Sequence, residues 1–410
     1  MNILKKFFSE INVNDKKIIY LIYFLPISIL AGSLIINLTI LILIFLFLYE
    51  IIKKKKINIF YNFYILLLFI IFIYLLYNSV FIAKDSDSII RACGFLRYII
   101  LALAIAYYLN IENKKYEKKI LLFWTVIFSI VTLDLIFEFI FGFNTLNFRS
   151  DYEGRLASFT GDELKIGGYY FGFYLLSLVL FIQNKKTFNI LMIVFLISAY
   201  LIGERSNFIK IIFMITLFYF FCYKLNFFKK ILIFTVPVFL IFLITLFNFN
   251  FKERFYNLLI NPIINNNLEK TLSENRHLAH YRSAIEIFKD NKILGIGIKK
   301  FRYESYRRQV ELNQYQGSTH PHQIHLEFLS ELGFVGYTLI MTFLIYSIIN
   351  GYKVFKLKND LYSAAASLFI FATIIPILPS GSFFTTYGAT IFWINFSFIL
   401  RNKIKINDSV

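Results

Sequence analysis

The sequence predicts an all-α polytopic membrane protein of about twelve transmembrane helices with one large outer loop. Three observations carry that expectation. Hydrophobic residues make up 58% of the 410 residues and aromatics 20%, more apolar surface than a soluble domain can bury. Apolar runs of roughly 17–25 residues, the length a bilayer requires, recur along the chain. Lysine clusters punctuate every second connection between those runs.

The apolar runs fall at about 18–33, 34–52, 57–78, 88–109, 120–142, 166–183, 188–202, 206–222, 231–248, 325–349, 361–378 and 384–400. The opening stretch MNILKKFFSEINVNDKK is polar and basic, and no small-residue cleavage site closes a short apolar core. The first run therefore reads as a retained signal-anchor. The first two runs adjoin so closely that they could form one long bent span, but the charge pattern favours two. With both counted, KKKK (53–56), NKKYEKK (113–119), NKK (184–186), YKLNFFKK (223–230), YKVFKLK (352–358) and RNKIK (401–405) all fall on one side. The positive-inside rule makes that side the cytoplasm and puts both termini there. Residues 1–248 then hold helices one to nine, 249–324 a large periplasmic loop, and 325–410 helices ten to twelve with a cytoplasmic tail. The net charge of +18 follows this topology and excludes no-membrane, nucleic-acid-binding readings. Cys93 and Cys222 lie in apolar segments near opposite faces, so no disulfide is expected.

Arginine is distributed differently from lysine. Arg401 is the one arginine on the cytoplasmic side; the others, from Arg91 to Arg308, all fall in the outer half. Either cation serves topology, but guanidinium offers a planar, permanently charged fork suited to phosphate. The bias points to an anionic ligand at the outer face, against the plainer reading of compositional drift. Arg97, Asp134, Glu138, Arg205 and Lys210 lie in the outer halves of their spans. Charges at that depth face a protein interior or a wet cavity, and a helix-holding ion-pair network is the plainer reading for Asp134, Glu138 and Lys210.

All five histidines fall between positions 277 and 325. Three are in HPHQIHLEFLSELGFVG, which closes the long outer loop and starts the tenth span. His322 and His325 lie one turn apart if the helix has begun there. An imidazole near a working pH suits proton abstraction from a sugar hydroxyl. Zinc binding and simple interfacial capping compete with that reading. Upstream, an amphipathic helix is expected over about 276–289, with His277, His280, Tyr281, Ala284 and Phe288 near one face. The GIG turn at 295–297 reads as ending or redirecting the loop.

His322-Gln323, nine residues, Gly333, two residues and Gly336 resembles the histidine signature of bacterial O-antigen ligases, with looser versions in Wzy-type polymerases. Weaker pieces occur in order: RLASFTGDELKIGGYYFGFYL from Arg155, GERSNF around Arg205, and RHLAHYRSAIEIFKDNKILGIGIKKF from Arg276. In GERSNF, Glu204 stands where the family's short turn has serine; Tyr281 and Lys292 replace a common Trp and Pro. The resemblance covers about 150–340. It implies a GT-C-like architecture and metal-independent glycan transfer at the periplasmic face, with no cofactor. The implied donor is an undecaprenyl-pyrophosphate-linked glycan, and the acceptor a lipid A-core or other glycan hydroxyl. It makes His322 the candidate base and Arg205, Arg276 and Arg155 candidates for the pyrophosphate. Gln323, Glu331, Gly333 and Gly336 support the site, the glycines by admitting a neighbouring helix or polyprenyl chain. The rivals are a polymerase, a metal-dependent glycosyltransferase using Asp85 and Asp87, and a twelve-helix transporter or flippase.

Overall fold

The computed structural model describes residues 13–111, 115–163, 165–223, 226–260, 276–312, 317–376 and 378–404, and among them every regular element is helical. The first nine long helices are α1 (Val13–Leu30), α2 (Ser33–Lys53), α3 (Phe63–Tyr77), α4 (Ser86–Asn110), α5 (Lys115–Phe141), α6 (Ile166–Val179), α7 (Lys185–Leu201), α8 (Arg205–Phe221) and α9 (Phe227–Phe247). The outer loop contributes α10 (Arg276–Asp290) and α11 (Phe301–Leu312), and the chain closes with α12 (Ile324–Lys358), α13 (Leu361–Thr373) and α14 (Thr386–Leu400).

A helix therefore stands at each of the twelve expected apolar runs. Among the described residues, five segments are long and apolar enough to cross a membrane: Ser33–Lys53, Phe63–Ala83, Ser86–Asn110, Tyr116–Phe141 and Ile324–Lys358. A sixth forms if Ile233–Phe247 and Phe249–Asn257, bent by 105°, count as one span. Apolar helices such as α6 and α13 are shorter. The first two runs are separate helices, because Gly32 adopts a φ of 105° between them, a conformation that costs glycine little. Asp85 caps α4 by accepting from Ser88 N at 3.3 Å, and it also pairs with Lys300 at 3.4 Å. Asp87 accepts from Tyr303 Oη at 3.2 Å. The Asp85/Asp87 pair thus has a structural occupation.

On the lysine-rich side, Arg401 is buried. Its guanidinium donates to both Asp360 oxygens at 2.7 and 2.8 Å and pairs with Glu117 at 2.5 Å. The one arginine on this side sits where a bidentate fork is needed.

The segment that carries α10 and α11 docks on α12 through a backbone break. Gly333 has a φ of 65° inside α12, which frees carbonyls on one side and N–H groups on the other. Loop groups take up both sets. Ile296 N and Gly297 N donate to Ser330 O and Glu331 O at 3.1 and 2.8 Å. Phe334 N and Val335 N donate to Lys292 O and Ile293 O at 2.8 and 3.2 Å. From α3, Tyr74 Oη donates to Leu332 O at 2.5 Å. The GIG turn therefore does more than redirect the chain. Gly333 was expected to admit a neighbouring helix; instead it breaks its own helix and meets Gly295 backbone to backbone. Gly336 matches the expectation, since a Cβ there would press on Tyr74 of α3.

Gly333→Ala should destabilise the protein by about 1–3 kcal/mol, from left-handed strain plus collision with Ile293 O. Gly381→Ala, which meets nothing within 4 Å, should be near neutral. Thermal unfolding of both variants in detergent measures the difference.

Candidate functional site

The site is built where the outer loop meets the start of α12. Gln323 caps that helix: its side-chain oxygen accepts from Leu326 N at 2.8 Å. The helix therefore begins after His322, which has a left-handed φ of 58°. Few non-glycine residues adopt this conformation. Two contacts hold it, with Ser380 N donating to His322 O at 2.8 Å and Tyr281 Oη donating to the same oxygen at 3.5 Å. The expected side-by-side placement of His322 and His325 fails for this reason. His325, inside the first turn, donates through Nε2 to Ile374 O at 2.9 Å and accepts through Nδ1 from Tyr337 Oη at 3.2 Å. It fastens α12 to α13.

The other histidines converge. The buried stripe of α10 runs through His280, Ser283, Ala284 and Ile287, one residue off the expected face at Phe288. Ala284, Ile287 and Phe301 form a small apolar cluster against Ile296 and Leu326, which seats α10 beside α12. His277 and His280 then lie 5.1 and 5.4 Å from His322, ring centre to ring centre. The His320 ring lies 3.9 Å from that of His322, centre to centre and tilted by 41°. Four of the five imidazoles form one cluster.

Arginines join it from two further elements. Among the described residues, Asp134 and Glu138 of α5 do not pair with cations. Glu138 accepts from Ala157 N and Ser158 N at 2.8 and 2.7 Å. Asp134 accepts from Thr145 N at 2.9 Å and Ser158 Oγ at 2.7 Å. Together these carboxylates pin the loop that carries Arg155. That loop in turn packs on the GERS turn: Leu156 N donates to Ile202 O at 3.2 Å. Gly203, with a φ of 76°, lies so close to Gly154 O that a Cβ would collide with it. Arg205 opens α8 in the same place. Lys210, one turn on, donates to Pro379 O at 3.1 Å. It thereby secures the 379–385 connection whose Ser380 holds His322. The charges of Arg155 and Arg205 both act on His277. Arg276 is the first residue of α10, but its side chain is outside the described residues.

Electrostatics follow from this crowding. Burial first, then His277 and His280, lower the His322 pKa from 6.5 to about 4. Burial first, then His322 and Lys299, lower that of His320 to about 3. His277 is also held below its ordinary value, by burial and then by His280, Arg205 and Arg155. At neutral pH these rings are uncharged and can accept a proton, while the guanidiniums supply fixed positive charge. An anion between them would relieve both effects.

Behind the cluster, buried carboxylates connect the same segments. Lys299 Nζ donates to Ser382 Oγ at 2.5 Å, and Ser382 Oγ donates to Glu327 Oε1. Phe383 N donates to Glu327 Oε2 at 2.9 Å. Glu331 is fully buried one turn on and contributes its backbone oxygen to the loop. Sequence reasoning singled out neither His320 nor Lys299. The one available signal was the crowding of every histidine into a short window.

Residues 190–341 match the family model described as O-Antigen ligase. That stretch is similar to the O-antigen ligase family. It runs from α7 to just beyond the Gly333 break and contains Arg205, Arg276, His322, Gln323, Glu331, Gly333 and Gly336. Arg155 precedes that stretch in sequence but is folded against it. The family is one of ligase- and polymerase-type membrane enzymes. No curated protein matches the chain.

The imidazole pKa directions set a pH dependence. Because the folded state holds these histidines below 6.5, the unfolded chain binds more protons between pH 6.5 and about 4. Stability should be full above about pH 6.5 and fall as the pH drops toward 4. Replacing His320 and His322 with Gln should flatten that fall, as thermal unfolding from pH 7 to pH 4 would show.

Proposed function

We propose that this protein transfers a glycan from an undecaprenyl-pyrophosphate carrier to an acceptor sugar hydroxyl at the periplasmic face of the bacterial inner membrane. The observation that carries this reading is the convergence of Arg155 and Arg205 on the His277/His280/His322 cluster. In this scheme His322 accepts the acceptor's hydroxyl proton as the oxygen attacks the anomeric carbon. The bond from that carbon to the pyrophosphate oxygen breaks, and the leaving oxygen keeps the electron pair. Arg155 and Arg205, with Arg276 expected to join them, stabilise the charge that develops there. Each donor of this kind is worth about 3 kcal/mol where it acts on the transition state. Fixed cations of this sort let the step proceed without a divalent ion. The pyrophosphate also raises the proton affinity of the neighbouring imidazole, so His322 becomes a stronger base once the donor is bound.

The reading includes the topology: twelve spans in a GT-C-like arrangement, both termini cytoplasmic, and residues 249–324 periplasmic. The lysine-rich side and the arginine-bearing site lie at opposite ends of the helices, which supports that orientation. Ligase and polymerase share this chemistry and differ in the acceptor. Lipid A-core is the acceptor favoured by the nine-residue spacing between Gln323 and Gly333.

A deletion strain complemented with His322→Ala or Arg205→Ala tests the scheme. Both variants should reach the membrane yet leave the glycan on its carrier, with transfer down by about 10²–10⁴-fold for His322→Ala and about 10²–10³-fold for Arg205→Ala. Normal capped lipopolysaccharide with His322→Ala overturns the role of that residue. Banding reduced to a single repeat identifies a polymerase. In purified liposomes, kcat/KM should hold down to about pH 5, because it reports the free-enzyme pKa of about 4. A midpoint near 6.5 would contradict the burial-lowered pKa of His322.

A further inference from the structure

A cavity of about 340 Å³ lies between the first turns of α4, the start of α11 and the segment from Phe383 to Trp393. It is separate from the histidine cluster. Its lining is unusual in charge: Arg91, Arg97, Lys299 and Arg302 face it, against Asp87 as the one carboxylate. Asp87 is already engaged by Tyr303 Oη. Among the described residues none of the four cations pairs with a carboxylate. Arg97 is held but not neutralised: its Nη2 donates to Tyr98 Oη at 2.8 Å and to Thr386 Oγ1 at 3.4 Å. Its guanidinium lies 4.7 Å from the centre of the Tyr98 ring, and its Nε is buried without a hydrogen-bond partner.

Most of the remaining lining is apolar or aromatic, with Thr385, Tyr98 and Tyr303 adding hydroxyls. Phe95, Phe383, Phe384, Ala389 and Trp393, all buried, belong to it. Ile90 also lines the cavity and is 67% exposed, on a helix long and apolar enough to cross a membrane. The cavity thus has a cationic, aromatic interior beside a surface that suits hydrocarbon. Lys299 is balanced in part by Glu327 behind Ser382, but three arginines without a carboxylate partner here are costly unless an anion occupies the space.

We propose that this cavity is a second anion site, which takes the phosphate-bearing headgroup of an amphiphile whose apolar part stays in the surrounding bilayer. It shares a wall with the histidine cluster. The 379–385 connection holds His322 through Ser380 N and presents Phe383, Phe384 and Thr385 to the cavity. Lys299 lies at that wall, lining the cavity while its charge acts on His320. The assignment goes beyond the transfer reading and does not depend on it.

Full-length protein in neutral phosphatidylcholine nanodiscs is titrated with dioctanoyl phosphatidic acid, dioctanoyl phosphatidylcholine or inorganic phosphate. Binding is followed by tryptophan fluorescence, since Trp393 lines the cavity, and in parallel by native mass spectrometry. Phosphatidic acid should bind saturably and at least tenfold more tightly than either other probe. Arg97→Gln should weaken it tenfold or more. Arg91→Gln should do the same; Arg91 is exposed on the surface of α4, so its replacement leaves the fold intact. Arg205→Gln, at the other cluster, should leave this affinity unchanged. Equal binding of the two lipids, or an affinity indifferent to Arg91→Gln, overturns the proposal. Inorganic phosphate binding as tightly as phosphatidic acid overturns the amphiphile. Loss of glycan transfer in the His322 and Arg205 variants has no bearing on any of these outcomes.

Discussion

The backbone break in α12 at Gly333 is the constraint on which the site depends. A helix interrupted inside a low-dielectric environment exposes N–H and C=O groups, and each one left unsatisfied costs several kcal/mol. Here the loop at 292–297 supplies the missing partners from its own backbone, and Tyr74 takes one more carbonyl. Backbone can meet backbone this closely only without side chains, so Gly295 and Gly333 face each other. Because the loop is held to the membrane-facing helix by main-chain bonds, α10 has one place to sit. His277 and His280 are delivered to His322 as a consequence.

Electrostatic design runs along the same lines. Three carboxylates near the site are spent on backbone and hydroxyl donors. Glu138 and Asp134 hold the Arg155 loop, and Glu327 holds Ser382 and Phe383. Among the described residues Arg91, Arg97 and Arg302 pair with no carboxylate. Arg401 at the other side shows the contrast, buried and met by two carboxylates. The same residue type fills two opposite roles according to whether acids are placed beside it. Lysine, with its flexible stem, fills positions that need only charge.

Much of the fold was legible from period and charge. Apolar runs located each long helix, and the alternation of α10 showed within one residue which face it buries. The charge bias separated arginine from lysine before any contact was known. Other features left no local trace. Whether His325 joined His322 hinged on where α12 begins, and that depends on a cap by Gln323, which is not a favoured cap residue. Gly333 reads in sequence as a packing glycine, because nothing local says that a loop forty residues upstream needs its carbonyls. Asp134 and Glu138 share a helix face as their spacing predicted, yet their partners are backbone groups of the following loop.

The sequence by itself determined the helical class, the apolar segments, the sidedness of the charge and the identity of the chemically capable residues. Those properties are additive along a chain and follow from composition and spacing. Tertiary structure alone decided which imidazoles cluster, which carboxylates engage backbone groups, and where each arginine comes to lie. Each of those depends on residues far apart in sequence meeting in a medium of low polarity, where every polar group must find a partner or be reserved for a ligand.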